Sequence, residues 1–533
     1  MKKILMTFLT LLLFSKAMGN NISWSFPPVT LSSATLASSD PQVAIDGNGN
    51  AAAAWVENGI IKSSVKPVGM GWSAATTLST AVASSPRIVS DLNGNLTAVW
   101  LESGVVKAAT KPFAGSWGAS TTLSGTLASF PHIAVDSVGD VVAVWARNGK
   151  IESSTKLFGA SWQGTVTINS TSATSPHVAM GGTGSNRTAV VVWSGVSGST
   201  KTVFASTKSV AASSSWISSA GNWSPQIVIS NTTHSAYATV AVDSNANAIA
   251  AWYCYDVDTT GTIFSNVKVA SSYLPSGGSW DAPRTISEAG IRNPATLVAR
   301  VAFDAIGNAI ALWNTSFDDS TFNIESAVRP LRGTWTDPTE IVSSNLYALE
   351  TDLAVSSLGD ALAVYMFYNG DFMLIQSAES NFAGLENNAW SVPINLSSGA
   401  NHGFPHVAST LTGSSINAVV VWVSTNGTVN TILATTGTRS VLLPPTSLAV
   451  TQSTSSFGGV FPEYHNTLTW AASTSPNIVG YIIFRNGTPL VEVAADVLEY
   501  VDDNRVAGQA VTYGVAAIDN QNSQSTIPTV HYP

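Results

Sequence analysis

The chain has 533 residues, of which 10% are charged and 45% hydrophobic, with a formal net charge of −9. That length accommodates a long repeat array with a smaller module beside it, and the absence of any basic run beyond the start excludes a nucleic-acid partner, whose phosphates require clustered Lys and Arg. Cys254 is the only cysteine, which excludes an intrachain disulfide as the source of stability.

The first residues, MKKILMTFLTLLLFSKAMGN, place Lys2 and Lys3 ahead of an apolar stretch from Ile4 to Phe14 and a small-x-small site at Ala17-Met18-Gly19. This is the layout of an export signal over residues 1–19. The apolar stretch is too short to span a bilayer, and no later one resembles it. The expectation is an exported protein of the periplasm, cell surface or medium, with no transmembrane segment once the signal is removed.

From residue 20 the chain repeats itself. DPQVAIDGNGNAAAAW ends at Trp55, SPRIVSDLNGNLTAVW at Trp100 and FPHIAVDSVGDVVAVW at Trp145, a spacing of 45 residues. Looser copies end at Trp193, Trp252, Trp313, Tyr365 and Trp422. After each aromatic comes a polar hairpin tip, a strand such as IIKSSVKP, and a second tryptophan opening a closing strand: Trp72, Trp117, Trp162, Trp223, Trp280, Trp335 and Trp390. Four short alternating strands joined by Gly and Asn turns are the signature of a propeller blade. The eighth copy lacks its closing tryptophan strand, which ISWSFPPVTLS around Trp24 supplies from the N-terminal end, removing an exposed sheet edge. Fifteen of the seventeen tryptophans fall on this grid and read as mortar between blades rather than as a ligand cage. The fold class is therefore all-β: an eight-bladed β-propeller over residues 20–440, seven-bladed if one of the irregular copies is misread.

Asp46, Asp91, Asp136, Asp243 and Asp304 recur at one position of the repeat. A calcium loop needs oxygen ligands at fixed alternate positions, which Val138 and Ile306 deny. A sialidase Asp-box carries Trp five residues after Asp, whereas Trp100 lies nine after Asp91. What fits is a turn, with Asp accepting backbone N–H groups and Gly or Asn at positive φ. The whole resembles an exported bacterial propeller protein of the sialidase-like or lectin-like class without true Asp-boxes.

From residue 443 to 533 the texture changes. The Pro-Pro entry at LPPTSLAV, Trp470 in NTLTW, Tyr481 in GYIIFRNG and Tyr513 in AVTYGVAAID resemble a fibronectin type III domain. That resemblance implies a seven-stranded sandwich serving as spacer or accessory.

Aligned by the repeat, the residue ahead of each first-strand core is Gln42, Arg87, His132, His177, Thr239, Arg300, Asp352 and His406. All are polar. In a propeller this position rims the axial channel, so it is read either as a solvated channel lining or as a ligand ring in which Arg and His bind hydroxyls or carboxylates. His177 and His406 lie on opposite sides of the ring and cannot share a zinc ion, so no metal and no cofactor is expected. Arg87 and Arg300 are likewise opposed, which argues against one shared carboxylate. A second candidate is the pair of long tips YCYDVDTTG and NTSFDDSTFN, where Tyr253, Tyr255, Asp256, Asp258, Phe317, Asp318 and Asp319 mix aromatic faces with carboxylates, a combination suited to sugars.

These features are read as a non-catalytic recognition protein that binds glycan or protein on a surface through the propeller face. The alternatives are a structural envelope component without a small ligand, and a sialidase-like glycoside hydrolase using paired carboxylates.

Overall fold

The structure is a computed structural model that describes residues 21–532 apart from 170–171, 199, 210–222, 231–233, 258–263, 289–298, 317–321, 345–346, 381–389, 427–428, 458–460, 521–523 and 526. The export-signal segment therefore lies outside the described residues. All elements are strands, grouped in two compact units, one comprising Ser23–Thr412 and Asn417–Thr438 and the other built on Gly413–Ile416 and Arg439–Pro533. No helix is long and apolar enough to cross a membrane among the described residues.

The first unit repeats one antiparallel sheet. In its first copy Ser38–Ile45 is innermost, followed outward by Ala51–Glu57, Ile60–Lys66 and Thr76–Thr77. Eight such sheets are present among the described residues. Each innermost strand packs on that of the next sheet, and Asn401–Thr412 of the last packs back on Ser38–Ile45 of the first, which closes the ring of a β-propeller. In the last sheet the outermost position is taken by the N-terminal strands Ser23–Trp24 and Val29–Thr30, with Ser23 opposite Thr438 and Val29 opposite Ala434. Pairing removes the edge that Val429–Ser440 would otherwise expose.

The second strand explains why the sheets stack. Runs such as AAAAW and VVAVW are buried on both faces, so small residues let neighbouring sheets approach while one large ring fills the gap. Trp55, Trp100, Trp145, Trp193, Trp252, Trp313, Trp422 and Tyr365 have no solvent exposure. The closing tryptophans reach across to the preceding sheet: Trp223 Nε1 donates to Ser153 Oγ at 2.9 Å, Trp335 Nε1 to Ser271 Oγ at 2.6 Å and Trp390 Nε1 to Ser326 Oγ at 2.9 Å.

The recurrent aspartate is a turn former. Asp46 Oδ1 accepts from the N–H groups of Asn48 (2.9 Å) and Asn50 (2.8 Å), and its Oδ2 accepts from Asn50 Nδ2 at 2.7 Å. Asp91, Asp243 and Asp304 repeat this pattern. Gly94 takes the positive-φ position at 83°, and a Cβ there would lie 2.6 Å from Asp46 Oδ2, so one turn nests in the next. These turns join the first strand to the second and so lie at the opposite end of each sheet from the hairpin tips.

The second unit holds two antiparallel sheets. Thr446–Phe457, Phe461–Ala471 and Glu499–Arg505 form one; Thr488–Ala494, Ile478–Arg485, Val511–Asp519 and Thr529–Tyr532 form the other. Trp470, Tyr481, Ile483 and Tyr513 fill its core.

Candidate functional site

Most innermost strands begin with a local irregularity just ahead of the polar ring residue. The register slips between Ser39 and Gln42, Ser84 and Arg87, Ser129 and His132, Thr174 and His177, Ala236 and Thr239, and Leu349 and Asp352. Within each slip one non-glycine residue takes a left-handed backbone: Asp40 (49°), Ser85 (54°), Phe130 (51°), Ser175 (51°), Tyr237 (59°) and Glu350 (54°), with Phe404 (54°) at the matching place in the eighth sheet. Pro41, Pro86, Pro131, Pro176 and Pro405 follow directly. A bulge leaves a backbone N–H without a ladder partner, and proline has none to lose. The next residue is the polar one read from the sequence.

Hydrogen bonds join those polar residues in an open circuit from the third sheet round to the first. His132 Nδ1 accepts from the Val178 N–H and His177 Nδ1 from the Val240 N–H, both at 3.4 Å, so each ring carries its proton on Nε2. The two rings pack against one another, tilted by 36°, with centroids 3.9 Å apart. Thr239 Oγ1 donates to the Ala299 carbonyl at 2.6 Å. Arg300 Nε donates to Asp352 Oδ1 at 3.0 Å. Asp352 Oδ2 accepts from the Val407 N–H at 3.0 Å and pairs with His406 Nδ1 at 3.2 Å. His406 Nε2 meets Gln42 Nε2 at 3.0 Å, which returns the circuit to the first sheet.

The electrostatics separate these groups. Burial, then the neighbouring His177 and the Arg87 and Arg300 charges, hold His132 well below the ordinary histidine range; burial and the same two arginines bring His177 to about 3. Both imidazoles are neutral Nε2–H donors at neutral pH. Burial and Arg300 lower the basicity of Arg87, so the two guanidinium groups feel one another although their sheets are opposed. Burial raises Asp352, but Arg300, His406 and the Val407 N–H outweigh it and bring the carboxyl to about 2. Two residues earlier on the same strand, Glu350 accepts the Phe404 N–H at Oε2 (2.6 Å), yet burial pushes its carboxyl up. The mouth thus holds one carboxylate fixed as an anion and one biased toward its acid.

The circuit brings together Gln42, His132, His177, Arg300, Asp352 and His406, and Arg87 faces the same channel with Nη1 bonded to the Pro86 carbonyl at 2.9 Å. The tip candidates fare differently. Tyr253 and Tyr255, at 1% and 2% exposure, are packed among Val269, Ala311 and Trp313, so they present no face to a sugar. Asp256 is exposed and accepts from Asn266 Nδ2 at 3.1 Å. Asp258, Phe317, Asp318 and Asp319 lie outside the described residues. Sequence reasoning missed Glu350 and the exposed rings of Phe130 (53%), Tyr237 (44%) and Phe404 (57%) on the left-handed positions. The signal was there: each stands two residues before a ring residue, and Phe130 and Phe404 directly precede a proline.

Among the described residues no group of three or more His, Cys, Asp or Glu is placed to hold a metal ion. In the C-terminal unit Ser455 Oγ lies 2.7 Å from His465 Nε2, and His465 Nδ1 lies 2.7 Å from Asp503 Oδ1. This is the connectivity of a nucleophile relay, but Asp503 is 58% exposed, and water around it dissipates the electrostatic activation such a relay needs.

No family model matches the chain, and no curated protein does. Solved structures do. A Hadza microbial sialidase, Hz136, is 11% identical, with 79% of this chain and 92% of that one covered and a TM-score of 0.33. The α-L-arabinanase of Penicillium chrysogenum is 12% identical over 65% of this chain and 94% of that one, with a TM-score of 0.32. A match to the Clostridium perfringens spore cortex lytic enzyme SleM is 13% identical, covers 24% of this chain and only 37% of that enzyme, and has a TM-score of 0.15. At these identities the likeness is one of fold. The non-catalytic recognition protein expected from the sequence is corrected here: the propeller structures similar to this one are enzymes named for action on glycans, and that expectation is not carried further.

Proposed function

We propose that this chain is an exported glycan-active enzyme of the glycoside hydrolase type, working at the axial mouth of an eight-bladed propeller that carries a fibronectin type III module. The eight sheets are taken as eight blades and the C-terminal sandwich as the accessory module; export rests on residues 1–19. The observation that carries the reading is the pair of carboxyl groups on one innermost strand, Glu350 and Asp352, held in opposite environments with Arg300 paired to Asp352. Two titratable groups pushed apart in this way are how one site supplies both an acid and an anion.

Glycosidic cleavage passes through an oxocarbenium-like state and needs a proton on the leaving oxygen. Asp352, with both oxygens engaged by Arg300, His406 and the Val407 N–H, stays ionised and stabilises positive charge developing at the anomeric carbon. Glu350 Oε2 is occupied by the Phe404 N–H, which leaves Oε1 to carry and deliver the proton. Arg87 and the Nε2–H groups of His132 and His177 donate to substrate hydroxyls.

Aryl glycosides of graded leaving-group acidity test this. Asp352→Asn should abolish turnover of all of them. Glu350→Gln should cost about 10²–10⁴-fold with poor leaving groups and little with activated ones, the mark of a lost general acid. Wild-type inactivity across a broad glycoside panel, on folded protein, would sink the hydrolase reading.

A further inference from the structure

The mouth does not stand alone on its face of the propeller. A cavity of about 760 Å³ opens between the seventh and eighth sheets, lined by Phe26, Phe372, Asn369, Asn395 and His402. Residues 397–402 run along it, and the chain then passes through Gly403 and Phe404 directly into Pro405 and His406 at the mouth. Phe404 is therefore the hinge between two surfaces. Its ring is 57% exposed, and Phe26 and Phe372 are exposed by 57% and 39%. A bulky ring in a left-handed backbone at 54° is strained, and an exposed one forgoes burial as well. Neither circumstance favours folding. The exposure, rather than the strain that the other sheets share, suits a flat apolar platform offered to a ligand.

We infer that the substrate is a polymeric glycan, whose chain lies from the Glu350–Asp352 mouth across Phe404 and into the cavity beside Phe372 and Phe26. This rests on the glycoside hydrolase reading above and names its substrate class. The chemistry is that of a pyranose or furanose chain: one face of each ring is apolar and stacks on an aromatic side chain, while the hydroxyl edge meets amides. Asn369 and Asn395 supply amides in the cavity, although Asn369 Oδ1 is already taken by the Asp371 and Phe372 N–H groups and Asn395 Oδ1 by Gln376 Nε2. The volume exceeds what a single sugar needs, and the cavity lies away from the carboxyl pair. It can therefore serve only a substrate long enough to reach both.

The test compares short and long substrates on the full chain, with Phe26→Ala and Phe372→Ala as variants. Both side chains are partly or largely exposed, and unchanged melting temperatures would verify folding. The probes are soluble arabinan, xylan and a polyuronide, beside aryl glycosides of the corresponding sugars. The expected result is a KM for the cleaved polymer raised roughly tenfold in each variant, with kcat and aryl glycoside turnover unchanged, as for lost ground-state binding. Unchanged polymer KM would overturn the extended site and leave the hydrolase reading standing, and so would a wild type that cleaves aryl glycosides but no polymer. If no substrate turns over, the hydrolase reading fails by itself. Gel retardation by the same three polymers then decides the inference: retarded wild type with weakened variants supports it, and equal mobility overturns it.

Discussion

Arg187 offers a quantitative test of how the repeat repairs its own irregularities. In the turns at Asp46, Asp91, Asp243 and Asp304, the residue four places on is Asn50, Asn95, Asn247 or Asn308, and its amide donates to the aspartate Oδ2 at 2.7 Å in every case. The third sheet has Asp140 there instead, which has no proton to give. Arg187 reaches over from the fourth sheet, where Nη1 donates to Asp140 Oδ2 at 2.7 Å and also to Asp136 Oδ2. The three side chains are 13%, 8% and 0% exposed. Arg187→Ala therefore leaves two facing carboxylates with little water, and removing one partner of a buried ion pair costs about 3–5 kcal/mol. Asp140→Asn recreates the sister turn, so in that background the same substitution should cost only about 1 kcal/mol, a coupling of roughly 2–4 kcal/mol. Urea unfolding of the full chain, followed by tryptophan fluorescence, reads all four proteins. The sign of the pH effect follows: burial raises the Asp136 carboxyl even with Arg187 lowering it, so without Arg187 the variant should recover stability as pH falls toward the ordinary carboxylate range. An equal cost of Arg187→Ala in both backgrounds would refute the account.

Two further outcomes check the mouth and the turns. His177 titrates at about 3 in the folded protein against an ordinary 6.5; a depressed value means stability is present above the unfolded value and drains away as pH falls from there toward 3. Full linkage is about 1.4 kcal/mol per pH unit, and channel water reduces it, so His177→Gln should gain roughly 1–1.5 kcal/mol relative to wild type between pH 6.5 and 4.5; parallel unfolding curves at both pH values would contradict this. Gly94→Ala must meet Asp46 Oδ2 and the Phe113 ring, both at 2.6 Å, whereas Gly69 at φ 72° has nothing within 4 Å. Thermal melts should show Gly69→Ala losing only the backbone term of about 1–2 kcal/mol and Gly94→Ala roughly twice that.

Much of the architecture was legible because it repeats. The 45-residue recurrence of Trp55, Trp100 and Trp145 and the missing closing strand of the last copy point to the N-terminal pairing seen at Ser23 and Trp24. The polar ring was legible for the same reason, since alignment alone collects one residue per sheet. The tips were misread through strand length. The second strand of the fifth sheet runs from Ala248 to Val257, so Tyr253 and Tyr255 continue its alternation and turn inward toward Trp313 rather than standing on a loop. The bulge was not legible at all. A left-handed backbone is normally announced by Gly or Asn, and here Asp40, Ser85, Phe130, Ser175, Tyr237, Glu350 and Phe404 hold it, imposed by the ring and hinted at only by the prolines that follow five of them.

That irregularity also bears on where the proposed chemistry would sit on the ring. Since the bulge recurs from sheet to sheet, it is a property of the repeat, and the strain alone marks no site. What varies is the side chain mounted on it. Ser85 and Ser175 are small and polar, as a solvated rim would have them. Glu350 is ionisable and Phe404 bulky and apolar, and they sit on neighbouring sheets joined by the bond from the Phe404 N–H to Glu350 Oε2. Directly beneath them on the same two strands stand Asp352 and His406, paired with one another. Arg300, from the sheet before, completes the ion pair, and the 760 Å³ cavity opens between the same seventh and eighth sheets. A carboxyl biased toward its acid, a fixed carboxylate, an exposed ring and a cavity share one sector; Phe130 and Tyr237 place exposed rings in other sectors, but without a carboxyl pair beside them, and the histidines of the third and fourth sheets are locked to backbone N–H groups. What singles this sector out for the proposed hydrolase site is the carboxyl pair beside the cavity.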